Sequence, residues 1–253
     1  MKRALLDLDR AALQNALASL GEKRFRTDQL WQWLHEKRVG SFDEMTNLSK
    51  DLRSRLAASH AVHTLQELDH RISADGLTEK WLFTAPAAAQ TDAARDDAGA
   101  ETDRTDPSGA QPLVETVLIR EQRRTRATVC LSVMVGCPLG CVFCATGQAG
   151  FLRNLSAGEM LEQVYRVDAR LRAAGEAGVT HAVFMGMGEP LLNLEAVMAA
   201  ARGLTAADGL DLAGRHVTVS TVGVPHGIDQ LARSDLRTRL AVSLHAPNQA
   251  LRE

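Results

Sequence analysis

The segment 127–150, ATVCLSVMVGCPLGCVFCATGQAG, carries all four cysteines of the chain and decides how the rest is interpreted. Cys137, Cys141 and Cys144 follow the spacing Cys-x-x-x-Cys-x-x-Cys in a loop that contains glycine and proline. An apolar, β-branched run typical of a strand comes directly before that loop, and Cys130 lies inside the run. The pattern predicts a metal-binding loop at the end of a strand.

Two kinds of metal centre suit clustered thiolates. Structural zinc takes four tetrahedral ligands, usually from two short-spaced pairs. Three thiolates suit a cubane iron–sulfur cluster, which keeps one iron free of protein ligands and able to bind a small molecule. The side chain of Cys130, inside the strand, cannot easily join the other three. The spacing therefore favours an iron–sulfur cluster, and periodicity alone indicates that Cys130 is a small buried apolar residue.

Composition favours a soluble protein of the reducing cytoplasm. The N-terminus lacks a signal peptide, and no stretch approaches the roughly 20 apolar residues of a membrane span. In that compartment cysteines more often bind metals or act in catalysis than form structural disulfides. The net charge of −2 gives no nucleic-acid signal. Basic clusters at 22–26, 120–126 and 37–38 are compatible with an RNA partner, but such clusters are more often ordinary solvated surfaces.

Residues 1–60 predict a small helical accessory domain, because apolar side chains recur at helical spacing in three segments. Thr27 is expected to cap the second helix and Ser49 the third. The side chains expected to face inward are Leu13, Leu17, Leu20, Leu30, Trp31, Leu34, Leu52 and Leu56.

Residues 61–126 predict a β-hairpin linker region, with strands at 62–73, 77–83 and 113–120. The insert 84–112 separates the last two strands. It has nine alanines and six acidic residues, and no Val, Ile, Leu or aromatic residue. We expect it to be a disordered loop without a share in the core.

From 127 to 253 strands and helices alternate, which predicts an α/β fold with a parallel sheet. Expected strands lie at 127–135 and 180–186, within 214–223, and at 239–245. Ser156 and Glu159 form a capping-box pattern before the first helix, and Asn193 is expected to cap the second. The pattern therefore contains four strands with three complete helical crossovers.

The cysteine loop after the first strand of this array resembles that of the radical S-adenosylmethionine (SAM) enzymes. Further stretches resemble one family within that superfamily, the dual-specificity RNA methyltransferases that modify carbon 2 of adenine in 23S rRNA and tRNA. The insert 84–112 departs from its pattern. The similar stretches are RFRTDQLWQWL (24–34), SFDEMTNLSK (41–50), VETVLI (114–119), MGMGEPLLN (185–193), VTVSTVG (217–223) and VSLHAPN (242–248).

The resemblance implies a partial radical-SAM (β/α) barrel with about four of six βα units, and two cofactors, a 4Fe–4S cluster and SAM. Cys137, Cys141 and Cys144 would hold the cluster. Without the resemblance, Gly188–Glu189 would be interpreted as a turn before Pro190, and isolated polar residues at strand ends as structural. The residues that the resemblance assigns to SAM are Phe143, Gly188, Glu189, Ser220, Ser243, Leu244 and His245.

The resemblance also implies a mechanism. In the family, a cysteine near the C-terminus accepts a methyl group from SAM, and a deoxyadenosyl radical activates that methyl for addition to adenine. Cys130 matches the resolving cysteine, which frees the RNA by forming a disulfide with the methyl carrier. Glu115 matches the proton acceptor at the adenine carbon; on its own it would be interpreted as a surface carboxylate.

The expected partners are 23S rRNA, tRNA and an external electron donor such as flavodoxin, and a monomer is expected. No cysteine follows Cys144, and the last two strands of the barrel are missing. We therefore expect a fragment that is inactive alone. The alternatives are the related carbon-8 adenine methyltransferase and a non-catalytic, metal-stabilised RNA-binding protein.

Overall fold

The structure, a computed structural model, describes residues 2–85, 112–121 and 126–252. The strands are β1 Arg3–Ala4, β2 His60–Ala61, β3 Gln66–Ile72, β4 Thr78–Thr84, β5 Leu113–Glu121, β6 Arg126–Leu131, β7 Met134–Gly136, β8 Phe151–Asn154, β9 His181–Phe184, β10 Val217–Thr221 and β11 Arg239–Val242. The helices are α1 Arg10–Ser19, α2 Phe25–Trp31, α3 Lys50–Ser59, α4 Ala145–Gln148, α5 Ala157–Ala173, α6 Leu194–Thr205, α7 Pro225–Arg233 and α8 Gln249–Arg252. Shorter helical segments lie at Leu5–Asp7, Gln32–Glu36, Phe42–Glu44, Pro190–Leu192 and Gly214–His216.

In the described part of the chain, seven strands form one mixed sheet in the order β11-β10-β9-β6-β5-β4-β3. The strands β6, β9, β10 and β11 are parallel and are joined by crossovers that contain α5, α6 and α7. The expected α/β fold with a parallel sheet of four strands is confirmed. The strands β3, β4 and β5 pair antiparallel and continue the same sheet through β6, so the expected hairpin region is part of the sheet rather than a linker.

Side-chain alternation gives the sheet two different faces. On β6, Ala127, Val129 and Leu131 are buried, whereas Thr128 and Cys130 lie half-buried on the opposite face. The helix α5 packs against the buried face of β6. The opposite face corresponds to the barrel interior, which we call the inner face.

The N-terminal helices bury leucines as expected, with one difference at a helix start. Leu13 and Leu17 are buried, and the Ser49 hydroxyl accepts the Leu52 N–H at the start of α3. Thr27 does not cap the second helix: α2 begins at Phe25, and Thr27 is buried inside its first turn. Leu20 is only partly buried.

Polar contacts join this N-terminal segment to α5. The Glu162 carboxylate accepts the N–H groups of Thr64 at 2.7 Å and Leu65 at 3.1 Å. His35 Nδ1 lies 3.0 Å from the Tyr165 hydroxyl. The predicted capping box is confirmed, because Ser156 and Glu159 each bond the other's backbone N–H. A single hydrophobic core runs through the N-terminal segment and the sheet.

The strand expected at 127–135 is interrupted at Ser132. The amide of Gln163 on α5 accepts the Ser132 N–H at 2.9 Å and donates to the Ser132 carbonyl at 3.0 Å. The Gln163 side chain thus makes the hydrogen bonds with the Ser132 backbone that a neighbouring strand would otherwise make. After this interruption, β7 starts at Met134 in a separate small sheet with β8.

Two other expectations differ in detail. The Asn193 side chain makes no cap; its amide donates to the carbonyls of Val133 at 2.9 Å and Leu155 at 2.8 Å. The strand expected at 239–245 ends at Val242.

The expected insert 84–112 also differs at its ends. Thr84 belongs to β4, and Ala85 is fully buried, with its N–H donating to the Pro112 carbonyl at 2.7 Å. The remainder of the predicted insert, 86–111, lies outside the described residues. Among the residues that are described, no helix is long and apolar enough to cross a membrane.

Candidate functional site

The candidate site residues gather at one edge of the sheet. The carboxyl ends of the parallel strands β6, β9, β10 and β11 all point to this edge, because parallel strands share a direction. The cysteine loop, the Gly186–Glu189 segment, the residues after β10 and the Ser243–His245 segment follow those ends. Ligand sites of α/β folds concentrate at such edges.

The cysteine loop is closed at its base by two glycines. The Cys137 N–H donates to the Gly150 carbonyl at 2.9 Å, where β7 pairs with β8. Gly136 has a φ of +76°, and a Cβ atom there would lie 1.9 Å from the Gly150 oxygen. Only glycine fits this close approach, so both ends of the loop are held in register.

The three cysteine side chains are half-buried and lie near one another. The Cys144 N–H donates to the Cys141 carbonyl at 3.0 Å. Burial raises the pKa of Cys137, and the charges of Cys141, Cys144 and Glu189 raise it further. All four cysteines of the chain are free thiols.

The donor set suits a cluster better than a single ion. Among the described residues, no group of three or more His, Cys, Asp or Glu side chains could hold one metal ion. In a cubane cluster each thiolate binds a different iron, so three neighbouring thiols need not converge on one point. The arrangement therefore fits an iron–sulfur cluster held by Cys137, Cys141 and Cys144.

Glu189 places a buried carboxylate beside this loop. It is 3% exposed, and its two oxygens accept the N–H groups of Leu191 at 3.1 Å and Val222 at 3.0 Å. These bonds tie the end of β9 to the end of β10. Gly188 has a φ of +98°, and a Cβ atom there would lie 2.6 Å from Cβ of Met134. The segment can thus pass close to β7 only with glycine.

Residues after the last two strands reach towards the loop. The imidazole of His245 packs edge-on against the phenyl ring of Phe143, with centroids 4.7 Å apart. The hydroxyls of Ser220 and Ser243 lie 3.3 Å apart across β10 and the end of β11. Leu244 is 70% exposed and therefore available to a ligand.

Cys130 and Glu115 lie on the inner face of neighbouring strands. Cys130 pairs in register with Val117, two positions along β5 from Glu115. The Glu115 carboxylate forms an ion pair with Lys80 at 2.8 Å, and both side chains are about half exposed. Burial raises the pKa of Cys130, so this cysteine rests as a neutral thiol at neutral pH.

Ser132 and Gln163 are positioning residues that sequence patterns do not reveal. The Ser132 hydroxyl donates to the Glu115 carbonyl at 2.6 Å and accepts the Met187 N–H at 3.0 Å. It therefore connects the strand of Glu115 to the loop that carries Glu189. A serine in an apolar run and a glutamine on a helix are common, so only the tertiary contacts reveal this role.

Two arginines of the basic clusters form ion pairs within the protein. Arg38 forms an ion pair with the buried Asp168 at 3.1 Å. Arg120 pairs with Glu79 at 2.6 Å and with Glu176 at 3.0 Å. The exposed cations near the N-terminus include Lys23, Arg24 and Lys37. Residues 122–125 of the second cluster lie outside the described part of the chain.

A three-cysteine loop at the carboxyl edge of a parallel β/α array, beside a buried carboxylate, defines a domain of the radical SAM class. Residues 131–253 match the family model of the radical SAM superfamily. Residues 3–62 match the model of the ribosomal RNA large subunit methyltransferase N-terminal domain. Radical SAM proteins of this kind use SAM and a 4Fe–4S cluster.

Individual relatives agree with both models. The chain is 45% identical over 249 residues to the dual-specificity RNA methyltransferase RlmN of Alkalilimnicola ehrlichii. It is 44% identical to the protein of the same name from Halorhodospira halophila. The crystal structure of a radical SAM methyltransferase from Sphaerobacter thermophilus superposes with a TM-score of 0.84 at 40% identity, over 99% of this chain and 66% of that one.

The chain therefore belongs to the RlmN family of radical SAM proteins. The matches cover 98% of this chain and 61% of each of the two curated relatives. The chain thus spans about three fifths of their length.

Proposed function

We propose that the chain is part of a cytoplasmic radical SAM methyltransferase that methylates carbon 2 of adenine in 23S rRNA and tRNA. The observation that supports it most is the position of three thiols, the Glu189 carboxylate and the Phe143–His245 pair at one sheet edge. The two relatives that match 98% of the chain are dual-specificity RNA methyltransferases by name, which favours the same activity.

In this proposal the cofactors occupy the edge described above. When bound, the cluster and SAM supply radical chemistry, with the electron coming from an external donor such as flavodoxin. Cys137, Cys141 and Cys144 would hold the cluster, and three protein ligands would leave one iron without a protein ligand. The Glu189 carboxylate would complement the charge of the SAM ammonium group, and Phe143 would offer an aromatic surface to the adenine. Gly188, Ser220, Ser243, Leu244 and His245 would help to orient SAM.

Glu115 and Cys130 would act on the RNA side of the reaction, and their position on the inner face of neighbouring strands supports this. Glu115 would accept the proton at the adenine carbon. Cys130 would form a disulfide with the sulfur of the methyl-carrying cysteine as the carbon–sulfur bond of the covalent adduct breaks, which leaves the methyl carbon on the RNA. The methyl-carrying cysteine that this step requires is not among the four cysteines of the 253 residues. We therefore expect this chain alone, as a monomer, to bind its cofactors without completing methylation.

Residues 1–60 are proposed to dock the RNA. Their match to an rRNA methyltransferase N-terminal domain supports this role. Lys23 and Arg24 are exposed, and the Lys37 ammonium lies over the Trp33 ring at 3.6 Å, which presents a charge and an aromatic edge together. Such pairs suit phosphate and base contacts in single-stranded RNA.

The first test is anaerobic reconstitution of the chain with iron, sulfide and a reductant, followed by SAM cleavage. We expect about four iron atoms per chain and formation of deoxyadenosine from SAM. One zinc without labile sulfide would instead favour the metal-stabilised RNA-binding alternative.

A second test addresses the position of the methyl group. The chain is fused to the segment that follows the matched region in the Alkalilimnicola ehrlichii relative, and the product nucleosides are analysed by mass spectrometry. We expect 2-methyladenosine. The 8-methyl isomer would establish the carbon-8 alternative, and multiple turnovers by the unfused 253 residues would contradict the expected dependence on a further cysteine.

A further inference from the structure

The end of the inner face opposite the cysteine loop carries a group of cationic side chains, which we call the basal cluster. These residues lie at or next to the first residues of the four parallel strands, where β6, β9, β10 and β11 begin. The basal cluster consists of Arg126, His181, Arg215, His216 and Arg239.

Strand register places these residues side by side. Thr128 on β6 pairs with His181, and Thr218 on β10 pairs with Arg239. The rings of His181 and His216 lie 4.2 Å apart, centroid to centroid. The basal cluster lies roughly 13 Å, the length of a four-residue strand, from the edge that carries the cysteine loop. It is therefore separate from the site already described.

The charges around this histidine pair are mostly of one sign. The pKa of His181 is lowered to about 4, by burial first and then by Arg126, His216 and Arg239. Burial and the charges of Arg215, Arg239 and Arg126 lower the pKa of His216 too. The Glu121 carboxylate on β5 acts in the opposite direction and raises the pKa of His181. Three guanidinium groups beside two imidazoles disfavour a bound cation and favour an anion.

The hydroxyl oxygen of Thr180 lies beside the His181 ring. It is 3.1 Å from the Ala127 carbonyl, accepts the Ala127 N–H at 3.0 Å and lies 3.0 Å from His181 Nδ1. The Ala127 carbonyl also accepts the Thr180 backbone N–H at 2.9 Å, so these contacts allow either tautomer of the neutral ring. In both tautomers the neutral imidazole has one donor nitrogen, and protonation adds a second donor.

We propose that the basal cluster binds a tetrahedral oxyanion of the sulfate and phosphate class. Arg126, Arg215 and Arg239 provide permanent charge, and His181 and His216 add donors when they take up protons. Anion binding and protonation of the pair therefore support each other, so the affinity rises as the pH falls. The ligand in the cell is either a free phosphate compound or a backbone phosphate of RNA.

The test is a calorimetric titration of the full 253-residue chain with sulfate at constant ionic strength. Sulfate keeps its charge between pH 7.5 and 5.5, so any pH effect belongs to the protein. We expect saturable one-to-one binding that is tighter at pH 5.5, and about tenfold weaker binding by Arg239→Gln, since a charge-assisted hydrogen bond is lost. Arg239→Lys should recover part of the affinity, and His216→Asn should reduce the pH effect.

Matched controls lie elsewhere on the surface. Arg233→Gln and His226→Asn, both on α7, should leave sulfate binding unchanged. Circular dichroism shows whether each variant keeps its fold. The absence of saturable binding at pH 5.5, or equal affinity in wild type and Arg239→Gln, would overturn the proposal. So would zinc binding that depends on both histidines.

A final arm distinguishes the two sources of the ligand. A short single-stranded RNA and inorganic phosphate are each titrated against wild type and Arg239→Gln. An RNA affinity that falls by the same factor as the sulfate affinity assigns a backbone phosphate. An RNA affinity that stays constant while phosphate binding weakens assigns a free phosphate compound. Neither result depends on methyl transfer.

Discussion

The ring of His245, just after β11, meets the ring of Phe143 in the cysteine loop at an angle of 60°. The two residues belong to opposite ends of the parallel array in sequence. Their contact shows that the sheet curves enough to bring the segment after its outer described strand to the loop after β7. An aromatic surface is thereby formed beside the three thiols.

Replacing His245 by alanine should weaken SAM binding several-fold in the reconstituted chain. The edge-on contact stabilises the position of Phe143 by about 1 kcal/mol, and its loss leaves that ring free to turn away. Equilibrium dialysis with labelled SAM measures the change. His245→Phe, which keeps an aromatic edge, should restore most of the affinity, and equal binding by His245→Ala and wild type would contradict the role.

Cys137→Ser should abolish iron binding, whereas Cys130→Ser should leave the iron content unchanged. Serine at 137 removes a thiolate ligand, so the reconstituted chain should lose its cluster, with iron and sulfide falling from about four per chain towards zero. Serine at 130 should leave both values unchanged, because Cys130 is on β6 rather than in the loop. Iron and sulfide assays measure both variants, and a similar loss from Cys130→Ser would show that the ligand set is wrong.

Gln163→Leu should lower the free energy of unfolding by about 3 kcal/mol, which urea denaturation measures. Leucine leaves the Ser132 N–H and carbonyl and the Thr116 hydroxyl unpaired, and all three are buried. Gln32→Leu is the matched control, since Gln32 is exposed and should change stability by less than about 0.5 kcal/mol. Equal stability of both variants would refute the importance of the Ser132 contact.

His35 should make the stability depend on pH. Burial lowers the pKa of His35 to about 4 from 6.5, so the unfolded chain takes up a proton on this ring first as the pH falls. The contribution of His35 is therefore complete above pH 6.5 and is lost towards pH 4, by up to about 3 kcal/mol.

His35→Phe keeps a ring stacked on Trp31 but removes the titration. Urea midpoints from pH 4.5 to 7.5 should fall less steeply for this variant than for wild type. Glu162, whose pKa burial raises to about 6, acts in the opposite direction, so the difference between the two proteins isolates His35. The control His226→Phe, exposed on α7, should keep the wild-type slope.

Local sequence patterns predicted much of this fold, because helix caps and apolar periodicity depend only on residues that are close together in the sequence. The capping box at Ser156 and the inward leucines of α1 and α3 follow from helical periodicity. The four parallel strands follow from the alternation of apolar runs with helices. The cap expected at Thr27 was wrong, because α2 begins at Phe25, three residues before the start that a cap at Thr27 would give. The choice between two possible helix starts depends on packing.

The class of the protein was predictable from local sequence, because the spacing of three thiols after a strand favours an iron–sulfur cluster and the neighbouring motifs resemble those of radical SAM enzymes. The order of the βα units was predictable as well. Three features emerged only from the folded chain: the strand of Cys130 stops at Ser132, His245 reaches Phe143, and Arg38 forms an ion pair with Asp168. Each of them depends on a contact between residues far apart in the sequence, and the spacing of residues along the chain carries no information about such partners.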